Sequence, residues 1–244
     1  MKYSRRWVLS RASIGLWAYW ALAAQCDQAS TGAKKGAESV VTAIGYANLK
    51  MVESPVSASA VKAINWYGNT ELAYEKSCEW YGETQGLHPG VDWLVDVGTA
   101  VVNPFGQKGS VISVGGSPYS WGAEPNAVAL DFGLYIVLFG HLSETLVTVD
   151  DAVGPGERVG LSGVGQGTPH LHLEVIRRDL SLGGGGRPGS TRTNPVRLMA
   201  DQLLSEVGSK EWDSFHPNDQ QRWLTPRDQP DIEPGEPFFF PRQC

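Results

Sequence analysis

The chain has no excess of positive charge. Twenty lysines and arginines face 26 aspartates and glutamates, leaving a net charge of −6. No basic field is therefore present to hold a nucleic acid or an anionic lipid surface, and no nucleic-acid partner is expected. Local pairs such as Arg177-Arg178 read as solvated side chains. Long hydrophobic runs are also missing. The apolar stretch 14–24 is too short to span a bilayer as an ordinary helix. Cysteine is nearly absent, with three in 244 residues. Cys26 follows the apolar stretch, and Cys78 and Cys244 either pair outside the cytoplasm or remain free thiols. None of the three stands where a metal ligand is expected. The sequence contains no internal repeat.

Glycine and proline are plentiful, at 29 and 15, and short β-rich apolar runs lie between them. That pattern specifies many strands and turns rather than long helices, and so a mainly antiparallel β fold. The length suits one domain of ordinary size with appendages. The expected organisation is a signal peptide over 1–23, a small-residue polar linker over 24–60, a domain over 61–200 and a partly irregular C-terminal extension over 201–244. Lys2, Arg5, Arg6 and Arg11 precede the apolar stretch, and Ala21-Leu22-Ala23 suits cleavage after Ala23. Ser4-Arg5-Arg6-Trp7-Val8-Leu9 resembles a twin-arginine export signal, with a general secretory signal as the alternative. Ala24-Gln25-Cys26 fits a lipobox poorly, so a lipid anchor at Cys26 is the lesser alternative to a soluble exported protein.

Four of the five histidines fall into one constellation. They are His88 with Asp92 in His88-Pro89-Gly90-Val91-Asp92, then His141, then His170-Leu171-His172. In a strand over 170–175, side chains alternate, so His170, His172 and Glu174 share one face and Leu171, Leu173 and Val175 face the core. Neutral imidazoles plus a carboxylate are the ligands a catalytic zinc takes, with a position left for water. A spare imidazole can take that water's proton and another can stabilise an oxyanion. Taken singly, His88 reads as a loop residue, His141 as a strand-end histidine and the His170–His172 pair as chance. The conjunction points to a metal site. His216 has no motif around it and is expected at the surface.

The order H-x-G-x-D, G-H-L, P-H-L-H-x-E resembles the lysostaphin/LytM-type zinc metallopeptidases of bacterial peptidoglycan. The likeness extends to Val97-Gly98-Thr99 and the strand-like stretches that follow it, to Asp151 through Gly163, and to Asn194-Pro195, covering roughly 84–198. The resemblance implies a compact antiparallel two-sheet β domain, of the duplicated hybrid-motif kind, with short flanking helices. It implies one Zn2+ held by His88, Asp92 and His172, with His141 and His170 as catalytic histidines. Glu174 is either an outer partner orienting a ligand ring or a plain solvated glutamate. Asn126 either lines the substrate groove or is an ordinary turn residue. The implied activity is hydrolysis of peptidoglycan peptide bonds by a metal-activated water, in a monomer exported to the periplasm or cell envelope. The alternative is an exported, non-catalytic wall-binding or amidase-activating module on the same fold. No ligand or catalytic position is substituted, which argues against that alternative.

The chain departs from the family pattern in the approach 80–87, which lacks the usual glycine-x-arginine, in 117–126, and in the loop 163–169. These are groove-forming positions, so they bear on substrate preference and leave the metal chemistry untouched. Trp66-Tyr67, Tyr74 and Trp80-Tyr81 are read as packing aromatics, with sugar stacking as the alternative. Asn194 and Pro195 are expected to cap and open a short amphipathic helix over 196–207. The Pro-rich tail from Asp228 is expected to lie irregularly on the surface.

Overall fold

The computed structural model describes residues 49–76, 81, 84, 86–115, 126–178, 191–210 and 225–232. The expected signal segment, Cys26, Cys78, Cys244, His216 and the side chains of Tyr74 and Trp80 lie outside the described residues. In chain order the elements are β1 (Ala63–Asn65), α1 (Glu71–Glu75), β2 (Gly90–Leu94), β3 (Ala100–Val102), β4 (Gly109–Val114), β5 (Val128–Asp131), β6 (Tyr135–Gly140), β7 (Leu142–Thr145), β8 (Ala152–Val153), β9 (Arg158–Gly165), β10 (Thr168–Arg177), β11 (Arg192–Thr193) and α2 (Asp201–Val207). Among the described residues no helix is long and apolar enough to cross a membrane.

Among the described residues every pairing between the named strands is antiparallel, as the turn-rich sequence predicts. The larger sheet runs β1-β2-β10-β6-β5-β4-β8, and a smaller one is built by β9 pairing with β3 and β7. The long strand β10 joins the two. Its first residues pair with β9, and the remainder has β2 and then β11 on one edge and β6 on the other. The β9–β10 connection is a two-residue turn, Gln166-Gly167, with φ of 46° and 81°. Two successive positive φ angles are the signature of a type I′ turn, whose twist suits a tight antiparallel hairpin.

Alternation along the strands builds two apolar clusters. Val91, Trp93, Leu130, Val137, Phe139, Leu171, Leu173 and Val175 belong to the main one, with Trp66, Phe105 and Phe132. Ala129, Ile136, Leu138 and Ile176 form a second on the opposite face of the large sheet. His172 and Glu174 share that second face with Ile176 by the two-residue period. The sequence pattern suggests one wet and one dry face for β10. Instead both are buried, His170 at 6 %, His172 at 4 % and Glu174 at 0 % exposure.

The packing extends past the 61–200 span on both sides. Leu49, Met51 and Val56, within the stretch expected to be linker, enter the main core, as do Leu203, Val207 and Ile232. Trp66 and Tyr67 are core residues as well. The expected helix 196–207 is interrupted. Asn194 caps a 3-10 turn, Pro195–Leu198, by accepting from the Val196 N–H at 3.0 Å. The chain then opens at Met199 and Ala200, because the Ala200 N–H donates to Met51 O (2.9 Å) and Met51 N–H to Leu198 O (2.8 Å), before α2 begins. Tertiary pairing to the N-terminal segment overrides local helix propensity here.

Gly167 has φ 81° and no atom within 4 Å of where a Cβ would stand. A Gly167→Ala change therefore introduces backbone strain and little else. We expect a loss of about 1 kcal/mol, read as a lower urea midpoint at unchanged m-value. An unaltered midpoint contradicts the turn geometry.

Candidate metal centre

Sheet register assembles the cluster. β2 and β10 pair with Asp92 opposite His172, and β6 places Gly140 opposite His172 on the other side. His88 precedes β2 and is fixed by a bridge to Gly68, each exchanging its backbone N–H and C=O at 2.9 Å. The resulting geometry brings three donor atoms together. His172 Nδ1 lies 2.7 Å from Asp92 Oδ1, His88 Nε2 lies 3.2 Å from the same oxygen, and the two ring nitrogens are 3.3 Å apart. All three residues are buried, and their ligand atoms fall within 4.8 Å of one another, a group able to hold a metal ion.

Neighbouring groups orient these atoms. The His88 Nδ1–H donates to Trp66 O at 2.7 Å. A carbonyl can only accept, so the proton sits on Nδ1 and the Nε2 lone pair points into the cluster. Asp92 Oδ2 accepts from Asn65 Nδ2 at 2.9 Å, which leaves Oδ1 turned toward the imidazoles. Two imidazole nitrogens and a carboxylate oxygen match the ligand preferences of zinc. The donor set therefore fits the ion implied by the sequence.

Charge in the cluster is internally balanced. Burial works against ionisation of Asp92, but His88, His170 and His172 outweigh it and hold the carboxyl well below the usual range. Burial also disfavours a charged His172, yet its contacts with Asp92 and Glu174 prevail and push its pKa up to about 9. His170 moves the other way. Burial is the largest influence and lowers its pKa, so the ring is neutral near pH 7. Its Nδ1–H donates to Thr168 O at 2.9 Å, leaving Nε2 free to accept, 3.7 Å from Asp92 Oδ1.

His141 stands between β6 and β7 in the left-handed region, φ 57°. Its ring meets His170 edge-on with centroids 4.6 Å apart and lies 5.9 Å from the His172 ring. Glycines make room for this. A Cβ at Gly165 would fall 2.6 Å from His141 Nε2, and one at Gly163 would fall 2.6 Å from His141 O. Tyr81, from the approach segment, presents its ring to His88 at 5.7 Å between centroids. Tyr81, Asp92, Gln166 and His170 line one recess.

All five residues singled out from the sequence, His88, Asp92, His141, His170 and His172, thus converge. Glu174 is fully buried against His172, not solvated. Asn126 lies apart from the donor cluster. Its side chain donates to Ser143 O at 3.2 Å and its carbonyl accepts from Leu142 N–H at 3.0 Å, so it braces the turn that carries His141. Sequence reasoning missed Asn65, the Trp66 carbonyl and Gly165. Asn65 reaches Asp92 through the β1–β2 register, which no local motif reveals.

Residues 86–184 match Peptidase family M23, which places that segment in the lysostaphin/LytM-type family. The chain is 31% identical to lysostaphin of Staphylococcus staphylolyticus over 154 residues, covering 62% of this chain and 30% of that protein. It is 37% identical to peptidoglycan DD-endopeptidase ShyA of Vibrio cholerae over 131 residues, covering 52% of this chain and 26% of that one. The catalytic domain of the antimicrobial peptidase lysostaphin from Staphylococcus simulans aligns with a TM-score of 0.45 at 26% identity, over 59% of this chain and 96% of that domain. The chain spans less than a third of the length of these two curated relatives.

The Gly165 contact generates a test. Gly165→Ala should turn the His141 ring out of its position and cost about 1–3 kcal/mol through overpacking. In a ring-nitrogen NMR spectrum the His141 resonances should move while those of His88 stay. Unchanged His141 resonances contradict the packing described.

Proposed function

We propose that this protein is a zinc-dependent endopeptidase that hydrolyses peptide bonds of bacterial peptidoglycan. The observation that carries the proposal is the convergence of His88 Nε2, Asp92 Oδ1 and His172 Nδ1 within 3.3 Å of one another, with the His141–His170 pair alongside. In this reading His88, Asp92 and His172 hold one Zn2+. The ion, when bound, makes water a usable nucleophile near neutral pH and polarises the scissile carbonyl.

The chain's own groups do the remaining work. His170 is neutral, with Nε2 available to accept a proton from the attacking water, and later returns that proton to the leaving amine. His141, packed edge-on against His170, donates to the oxygen that turns negative as the carbonyl becomes tetrahedral. Buried neighbours keep the cluster largely water-free, which strengthens each of these interactions. Gln166 and Thr168, on and beside the β9–β10 turn, and Tyr81 opposite them are placed to contact the peptide. A curated relative named as a peptidoglycan endopeptidase supports the substrate class. The −6 charge likewise offers no basic surface for nucleic acid. The protein acts as a monomer in the periplasm or cell envelope, with residues 1–23 as its export signal.

Digestion of purified sacculi tests this. Removing zinc with a chelator should abolish release of new amino groups, and adding zinc should restore it. His88→Ala and Asp92→Ala should lose bound metal and turnover together. His141→Ala should keep the metal and lose about a hundred- to ten-thousandfold in turnover. A metal-free preparation with full activity, or a fully active His141→Ala enzyme, overturns the proposal.

A further inference from the structure

β2 and β11 occupy one edge of β10 in succession. β2 pairs with residues 171–174 and β11 with 175–176, while β6 runs along the other edge. Arg192 of β11 stands opposite Ile176, on the face that carries His172 and Glu174. From there its Nε forms an ion pair with Glu174 Oε1. Glu174 is fully buried and Arg192 only 8 % exposed, so water screens the pair weakly. The second carboxylate oxygen of Glu174 lies 3.6 Å from His172 Nε2, while the other nitrogen of that ring faces Asp92. The four residues form a continuous series, Arg192–Glu174–His172–Asp92.

Arg192 is itself clamped. Tyr67 Oη donates to its carbonyl at 2.8 Å, and it exchanges two backbone hydrogen bonds of 2.9 Å with Ile232. The segment 225–232 is anchored in turn. Asn194 Nδ2 donates to Pro226 O (2.8 Å) and Gln229 O (3.0 Å), and Arg197 pairs with Asp231 at 3.2 Å. Arg192 and this segment both lie beyond the residues matched to the family, 86–184.

We propose that Arg192, clamped by segment 225–232, is a positioning residue that sets the metal affinity of the centre by holding Glu174 against His172. The inference rests on the reading of His172 as a ligand. A His ring can present either nitrogen to a metal, and the choice follows from the hydrogen bond made by the other one. Glu174 biases that choice by setting its carboxylate 3.6 Å from Nε2, which leaves Nδ1 for the cluster. A carboxylate this deeply buried keeps its orientation only with a partner group beside it. Arg192 supplies it.

The test is zinc affinity of the full chain, measured by competition with a chromophoric chelator, with folding checked by circular dichroism. Arg192→Met and Glu174→Gln should each weaken zinc binding by about ten- to a hundredfold. The double variant should be no weaker than the more damaged single one, because both act along one route. Arg192→Lys, which keeps the charge, should recover most of the affinity. A folded Arg192→Met protein that binds zinc as tightly as the unaltered chain overturns the inference and leaves the proposed function standing. An unaltered chain that does not bind zinc removes both. If Arg192→Met does not fold, Glu174→Gln decides: wild-type affinity there overturns the inference, and so do losses in the double variant that simply add.

Discussion

The pairing of β2 with β10 is the constraint on which the rest of the site depends. It sets Asp92 directly across from His172, and their side chains meet at 2.7 Å. A slip of β10 by one residue would turn His172 to the opposite face of the sheet from Asp92. Burial on both faces of β10 makes such a slip expensive, since Leu171, Leu173 and Val175 would then leave the main core. The same register puts Gly90 opposite Glu174, where a Cβ would come within 2.5 Å of His172 Nε2. Core packing and site geometry are therefore one specification. The apolar half of each strand holds the register, and the register holds the donors.

Burying this many ionisable groups is tolerable only because they compensate one another. Asp92 is surrounded by imidazoles and an asparagine amide. Glu174 is matched by Arg192. Backbone carbonyls of Trp66 and Thr168 take the outward N–H of His88 and His170, so each ring has one nitrogen committed and one available. This division separates the histidines by environment. His172 is drawn toward the charged form by two carboxylates, and His170 is kept neutral by burial.

The donor residues and the β class were legible in the sequence because both are local patterns. A His-x-His on an alternating strand and a His-x-Gly-x-Asp before another carry their chemistry within a few residues. Glu174 could be placed on the right face but not assigned a state, since its partner Arg192 is 18 positions away across residues that show no pattern. Asn65 and the Trp66 carbonyl were hidden for the same reason: strand pairing brings them in, and pairing is non-local. Small polar residues before the domain suggested a linker up to residue 60, yet Leu49, Met51 and Val56 are core residues. A few well-spaced apolar side chains suffice to dock an irregular segment, and periodicity does not detect them. The interrupted helix after Asn194 fails locally in the same way, because Met51 takes its hydrogen bonds.

The central claim is that two imidazoles and one carboxylate, brought together by the β2–β10 register, bind the metal without sulfur. X-ray absorption at the zinc edge of the loaded protein measures this directly. The account predicts a first shell of nitrogen and oxygen alone at about 2.0–2.2 Å, with the outer scattering pattern of two imidazole rings. A sulfur contribution at about 2.3 Å, or a shell without imidazole scattering, would contradict it.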